Sequence, residues 1–422
     1  MKYTITIFLL YISLTLFGQS QTKRVLFLGN SYTQVNNLPQ MVADIALSTG
    51  DTVFFDSNTP GGYTLQGHAT NATSLSKIAK GTWDFVVLQE QSQYPSFPLS
   101  QVEAEVFPFA TKLDSLIIAA NPCTETMFYM TWGRKNGDAS NCATWPPVCT
   151  YAGMDSLLNL RYRMMADSNK ALVSPVGVVW KYIRQQFPQI ELYQSDESHP
   201  SEAGTYAAAC CFYTTLFRKD PVNITFNGAL SASDAANIRT AVKLIVYDSL
   251  LQWHIGEYDP KANFSYKDSS QQYILFTNTS SNATKFYWNF GDGDTSNVKH
   301  PTHNYKQSGK YQVMLISYNC NSVDTLIKSI SIGASGIYKL YNKIDFSISP
   351  NPSTTSLYIN IYSGNNYSYK ILNLLGQEIH SGKLNETPNL ISISSLSEGT
   401  YIFQLTEKGV IIGQQKFVKV LE

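Results

Sequence analysis

An α/β domain built on a parallel sheet, followed by two all-β sandwich modules, is the fold class this sequence predicts, and three observations predict it. From residue 23 to about 254, short apolar runs alternate with helical patterns; helical periodicity stops after Tyr258-Asp259-Pro260; and the texture changes again at 333–343. The chain has 422 residues, 43% of them apolar, which at roughly 150 residues per domain allows about three modules, each with a core.

At the N-terminus, Lys2 precedes an apolar run over 5–17 that gives way to Gly18, Gln19 and Ser20. This is the pattern of a signal peptide over residues 1–20. The run is shorter than the roughly 20 residues a membrane span needs, and no other segment approaches one. The mature chain is therefore expected to start near 19–22 and to carry no transmembrane anchor. Strand candidates follow at 25–28, 53–55, 85–88, 126–130 and 171–173, each a nearly continuous apolar run, as parallel strands covered on both faces require. Between them, Leu38, Met41, Val42, Ile45 and Ala46 recur at helical spacing, with Pro39 in the first turn where its missing N–H costs nothing. A later helix gathers Ala203, Tyr206, Ala207, Cys210 and Phe217 on one side. Strand and helix in alternation over 21–255 make a doubly wound domain, whose ligands sit beyond the C-terminal ends of the strands. Short strands separated by Asn, Gly, Ser and Asp over 262–333 read as one sandwich. Alternation at Leu357, Ile359 and Ile361 and a turn at Gly376-Gln377 read as a second, over 344–422.

Thirty-one basic residues cancel thirty-one acidic ones, so no global positive field collects phosphates, and nucleic acid is not an expected partner. Charged residues make up 15%, against about 25% in an ordinary soluble domain. Ser, Thr, Asn and Tyr supply the remaining polarity, a surface suited to an exported protein. Six cysteines are too few for a disulfide scaffold, but an oxidising compartment lets near neighbours pair. Cys142 and Cys149, flanking a Pro-rich stretch, are the candidate pair, and Cys210 and Cys211 are expected as buried thiols.

The first strand runs into Gly29-Asn30-Ser31-Tyr32-Thr33, which places Ser31 beyond a strand end and ahead of a helix, where a nucleophile belongs. It needs a base. Of the six histidines, His199 stands out in Asp196-Glu197-Ser198-His199-Pro200. Pro200 disfavours the α conformation at the residue before it, so His199 is expected in a loop with its ring free. Asp196, three residues earlier, can accept the Nδ1 hydrogen and leave Nε2 to take the Ser31 proton.

Gly29-Asn30-Ser31 after strand one and Asp196-x-x-His199-Pro200 before the last helix resemble the SGNH (GDSL-type) hydrolases over about 23–218. The resemblance implies a flavodoxin-like three-layer α/β/α fold acting on esters, with Ser31, His199 and Asp196 as triad. It also implies an oxyanion hole built from the Ser31 N–H, a glycine N–H and an amide side chain. Pro60-Gly61-Gly62-Tyr63 offers Gly61 or Gly62. Gln89-Glu90-Gln91-Ser92 replaces the family's Gly-x-Asn-Asp, so the amide is expected from Gln89, at the strand end, in preference to Gln91. Gln91, Tyr63 and Trp132 are expected to contact substrate. The run 287–294 with Tyr-Trp-Asn-Phe-Gly-Asp-Gly-Asp, then Pro301-Thr302-His303-Asn304-Tyr305, resembles a PKD domain. Its Gly-Asp-Gly run lacks the ligand spacing of a calcium loop and reads as a tight turn. Ile348-Ser349-Pro350-Asn351-Pro352, Leu374-Leu375-Gly376-Gln377 and Leu396-Ser397-Glu398-Gly399-Thr400-Tyr401 together resemble the type A C-terminal sorting domain of the type IX secretion system. That implies a partnership between 344–422 and the secretion machinery.

These readings predict a secreted or surface-held serine esterase removing O-acetyl or similar groups from a polysaccharide. No metal or cofactor is expected. The alternatives are a surface glycan-binding or adhesion protein with an inactive hydrolase domain, and a lipase or thioesterase of the same fold.

Overall fold

The computed structural model describes residues 20–270, 272–320, 322–333, 346–361, 367–384, 389–407 and 410–421. The expected signal-peptide run and the junction at 334–345 lie outside these residues.

Five parallel strands open the fold: β1 (Thr22–Leu28), β2 (Thr52–Asn58), β3 (Phe85–Leu88), β4 (Glu125–Tyr129) and β5 (Leu172–Ser174). Their order is β2-β1-β3-β4-β5. The chain leaves β1 outward to β2 and then returns to the other side, so the direction of winding reverses between β1 and β3, where an open α/β sheet presents its ligand crevice. The helices are α1 (Ser31–Gln34), α2 (Leu38–Leu47), α3 (Leu65–His68), α4 (Ala72–Ala79), α5 (Leu99–Glu105), α6 (Phe107–Ala120), α7 (Tyr151–Asn169), α8 (Val176–Gln186), α9 (Glu202–Phe217) and α10 (Ala232–Ile245). One layer joins α2, α8, α9 and α10, and the other joins α3, α4, α6 and α7. This is the three-layer α/β/α arrangement, with Val25, Leu26, Phe27 and Leu28 of the interior strand β1 fully buried.

Read from sequence as one-sided, α9 is buried from Gly204 to Phe217. Phe212 packs edge-on against Phe27 and Tyr129 of the sheet, while α2, α8 and α10 cover its remaining faces. A helix apolar on all sides is what such a position demands.

Two antiparallel sandwiches follow. The first pairs a three-stranded sheet with a four-stranded one over residues 264–332, around Trp288, Phe264, Phe276 and Leu315. The second repeats that division over 346–419, around Phe403, Ile359, Leu357 and Phe417. The expected Cys142–Cys149 disulfide is present, and Cys210 and Cys211 are buried thiols. A second disulfide, Cys123–Cys320, joins the turn two residues ahead of β4 to the first sandwich across 197 positions of sequence.

Candidate active site

The loop after β1 is shaped by its neighbours. Asn30 caps α1 by accepting the Tyr32 N–H at 3.1 Å, and its amide nitrogen donates to the Tyr63 carbonyl at 2.9 Å. That second bond draws the 60–63 turn, in which Gly62 takes a φ of 66°, against the serine loop. Ser31 is the first residue of α1, so its N–H has no intrahelical acceptor. Beneath it, His68 is fully buried between the Gly29 carbonyl, 2.9 Å from Nε2, and the Ser74 hydroxyl, 2.8 Å from Nδ1. A carbonyl can only accept, so Nε2 carries the hydrogen and Nδ1 receives one from Ser74. Burial pushes His68 down to about 4 despite the Gly29 bond, which keeps this neutral tautomer in place.

The loop ahead of α9 is closed by the Gln194 N–H to His199 carbonyl bond at 2.8 Å and the Ser201 N–H to Leu192 carbonyl bond at 2.9 Å. Inside it, one oxygen of Asp196 accepts the N–H groups of Ser198 and His199, each at 3.0 Å, and the other binds His199 Nδ1. Burial works to raise Asp196, but the His199 ring bond and the two backbone N–H groups outweigh it and hold its carboxyl below the ordinary value. His199 Nε2 then lies 2.8 Å from Ser31 Oγ. A carboxylate on Nδ1 leaves Nε2 as the acceptor, and the serine hydroxyl donates to it. The structure thus brings Ser31, His199 and Asp196 into one hydrogen-bonded chain from opposite ends of the α/β part.

Sequence reasoning missed the aromatic column that backs this loop. Tyr32 stacks on Trp132 at 4.8 Å, Trp132 stacks on Trp180 at 3.6 Å, and the Tyr32 ring meets His199 edge-on at 5.4 Å. Tyr32 Oη and Ser198 Oγ are 2.6 Å apart, and Trp132 Nε1 donates to the Ser198 carbonyl at 3.1 Å. Trp132 is fully buried, which corrects the expectation that it contacts substrate: both its faces are already occupied. Tyr63 is half-buried, its hydroxyl taken by Asn71 at 2.9 Å and its ring set against His68.

Gln89 is also a correction. It lies fully buried under the serine loop, its oxygen accepting from the Asn30 N–H at 2.9 Å and the Thr33 hydroxyl at 3.0 Å, its nitrogen donating to the Glu90 carbonyl. Its oxygen is spent on the serine loop and its side chain has no surface open to solvent. Gly29 makes this possible, since an added Cβ there would stand 2.6 Å from the Gln89 oxygen. Gln91 is half-buried; its oxygen accepts from the N–H groups of Gln93 at 2.7 Å and Tyr94 at 3.4 Å, and its nitrogen donates to Gln93 Oε1 at 3.0 Å. Gln93 in turn reaches Asp138 at 2.7 Å, the buried carboxylate that organises the Cys142–Cys149 loop through Arg134 and Asn141. Gly61 and Gly62 are exposed, with open space around both.

Among the described residues, one trio of possible metal ligands converges, Asp292, Asp294 and His303, with ligand atoms within 4.8 Å of one another. His303 Nε2 is engaged by Asp292 at 2.7 Å and its ring stacks on Phe290. Asp292 also accepts the Asp294 N–H at 3.1 Å, which closes a tight turn at Gly291 and Gly293.

Two family models match the chain: the PKD domain over residues 258–331 and the secretion system C-terminal sorting domain over residues 347–420. The two sandwiches are therefore a PKD domain and a secretion sorting domain. No curated protein matches the chain. Among solved structures it is similar to a DUF4886 family protein from Bacteroides uniformis, at 17% identity and a TM-score of 0.47, covering 55% of this chain and 95% of that one. It is similar also to a candidate SGNH hydrolase from Slackia heliotrinireducens, at 26% identity and a TM-score of 0.39, covering 46% and 99%. A PKD domain from a Vibrio cholerae metalloprotease is 32% identical with a TM-score of 0.17, covering 18% of this chain and 96% of that one. Among the described residues no helix is long and apolar enough to cross a membrane.

Proposed function

We propose that this chain is a serine esterase of SGNH type, carried to the cell exterior by its sorting domain through the type IX route, and that it removes O-acetyl or similar small acyl groups from carbohydrate. The hydrolase module would span 21–255, with PKD and sorting modules over 262–333 and 344–422. The observation that carries the reading is the 2.8 Å contact between Ser31 Oγ and a His199 ring whose other nitrogen is held by Asp196.

In the proposed reaction Ser31 Oγ attacks the ester carbonyl carbon as its proton passes to His199 Nε2, and Asp196 stabilises the imidazolium. The carbonyl electrons move to oxygen. That oxyanion is received by the Ser31 N–H, by the N–H of Gly61 or Gly62, and by an amide. The amide is assigned to Gln91 in place of Gln89. Its oxygen is anchored by two backbone N–H groups, only one of its two amide hydrogens has an acceptor among the described residues, and unlike the fully buried Gln89 it is partly open to solvent. Collapse breaks the bond to the alcohol, which leaves with the proton from Nε2. Water then attacks the acyl-serine with His199 as base, releasing the acid and restoring Ser31. Support for a bulky alcohol is the accessibility of the site: 46% of the Asp196 side chain and 31% of the His199 side chain are open to solvent, so a polymer can approach.

The test is turnover of para-nitrophenyl acetate, butyrate and octanoate by the full chain and by Ser31→Ala. Acetate hydrolysis that vanishes in the folded variant is the expected result. Equal rates for the two proteins would remove Ser31 as nucleophile, and a preference for octanoate would favour a lipase.

A further inference from the structure

Glu90 follows β3 at the reversal point of the sheet. It is fully buried and makes no ion pair among the described residues. Its Oε2 accepts the Leu65 N–H at 3.1 Å, and its Oε1 accepts the Gln91 N–H at 2.5 Å. The backbone of Glu90 is held as well: its N–H donates to the Tyr162 hydroxyl at 3.3 Å, and its carbonyl receives the Gln89 amide. Every polar atom of the residue thus has a partner, and the two carboxyl oxygens hold the backbone at Leu65 and at Gln91.

A buried carboxyl without a counter-charge is costly, and here burial pushes it up to about 8 against the two N–H bonds, which act to lower it. What two converging N–H groups require is two acceptor atoms at the end of one side chain, and each oxygen of a carboxyl keeps a lone pair to offer whether or not it also holds the proton. Glutamine supplies only one, and its NH₂ would face the other N–H. An apolar residue supplies none.

The segments so joined are the ones that carry the proposed oxyanion donors. Leu65 opens α3 directly behind the 60–63 turn with Gly61 and Gly62, and Gln91 opens the loop that anchors its own amide on Gln93 and Tyr94. We propose that Glu90 is a positioning residue for the oxyanion hole: its carboxyl clips the glycine turn to the Gln91 loop and thereby sets the distance between the donors of each. This rests on the serine-esterase reading of the same site. Without the clip the two segments are still linked to the serine loop, through Asn30 to the Tyr63 carbonyl and through Gln89, but among the described residues no other hydrogen bond joins them to each other.

The experiment compares the full chain with Glu90→Gln and Glu90→Met, using para-nitrophenyl acetate kinetics together with amide hydrogen exchange over residues 61–65 and 91–94. A displacement of about 1 Å in a preorganised site costs on the order of 100-fold. Both variants should therefore lose about 10- to 100-fold in kcat with KM within about twofold, and exchange should quicken in those two segments while the β1–β3 core keeps its protection. A Glu90→Met protein with wild-type kcat overturns the proposal, and so does unchanged exchange in both segments. If the wild-type chain turned over no ester, the esterase reading would fall, and the exchange data alone would decide the clip: quickening confined to the two segments supports it, and none removes it.

Discussion

Asp196 divides its work between two oxygens, one pinned by the N–H groups of Ser198 and His199 and the other left to the imidazole. That contact was legible because both patterns are local: a strand running into Gly-Asn-Ser, and Asp-x-x-His-Pro in one short loop. The fate of Gln89 was not legible, because a side chain at a strand end faces either the cleft or the layer beneath, and the choice depends on what the neighbouring loop leaves unfilled. Gly29, with no Cβ, leaves room for the Gln89 amide, and the orphan N–H of Asn30 attracts it. Nor could the sequence show that Glu90 and His68 are buried, which has a consequence for stability. Between its ordinary 4.5 and about 8, folded Glu90 keeps a proton that the unfolded chain has released, so stability falls as pH rises through that window. Asp155, raised by burial to about 6 from 3.8, acts in the same direction but lower. His68, lowered by burial to about 4 from 6.5, acts oppositely, and its contribution fades above 6.5 as the unfolded imidazole loses its remaining proton. The thermal midpoint of the α/β part should therefore decline from pH 6.5 to 8, and the decline should flatten in Glu90→Gln. Parallel midpoint curves for the two proteins across that range would show that Glu90 does not titrate there.

At the scale of elements, the five strands were legible to within three residues at each end, because continuous apolar runs of that length suit a doubly covered sheet. The helices were less so. Ala203, Tyr206 and Ala207 mark one face of α9, and nothing local reveals that α8 and α10 enclose the others. The aromatic column spans this gap: Trp180 of α8 stacks on Trp132 at a strand end, and Trp132 holds the Ser198 carbonyl next to His199. Trp180 also meets Tyr193 edge-on at 5.0 Å. Emptying its site in Trp180→Ala should cost about 3–5 kcal/mol, as truncation of a buried aromatic does, measured as a lowered urea midpoint. Turnover should fall with it, since Trp132 loses the face that fixes its Nε1 toward Ser198. A destabilised variant with full turnover per folded molecule would mean that the His199 loop holds itself without the column.

On the scale of the whole molecule, the order of three modules could be read from changes in texture, whereas the Cys123–Cys320 bond could not. Its partners are 197 residues apart, and pairing depends on Cα atoms brought within about 7 Å by the fold. Cys123 precedes β4 at the N-terminal end of the parallel sheet, and Ser31 follows β1 at the C-terminal end. The PKD domain is therefore anchored on the side of the sheet away from the candidate site. A cavity of about 500 Å³ lies in that junction, lined by Lys23, Glu125, Tyr258 and Cys320 among others, with the Arg218–Asp259 ion pair on its wall. Asn282 of the PKD domain donates to the carbonyls of Glu257 and Asp259 at 3.2 Å each, so polar contacts also fasten the linker. In the chain-entropy account, a disulfide closing so long a loop contributes on the order of 5 kcal/mol through the unfolded state, far more than these exposed hydrogen bonds. The double variant Cys123→Ser/Cys320→Ser should consequently be cut more readily by protease near residues 255–262, and should lose thermal stability. Its kcat/KM for para-nitrophenyl acetate should stay within about twofold of wild type, because neither cysteine nor the PKD domain borders Ser31. Loss of small-ester turnover in the intact double variant would show instead that the junction is coupled through the sheet to the triad. Unchanged protease sensitivity would show that Arg218, Asp259 and Asn282 hold the linker without the covalent bond.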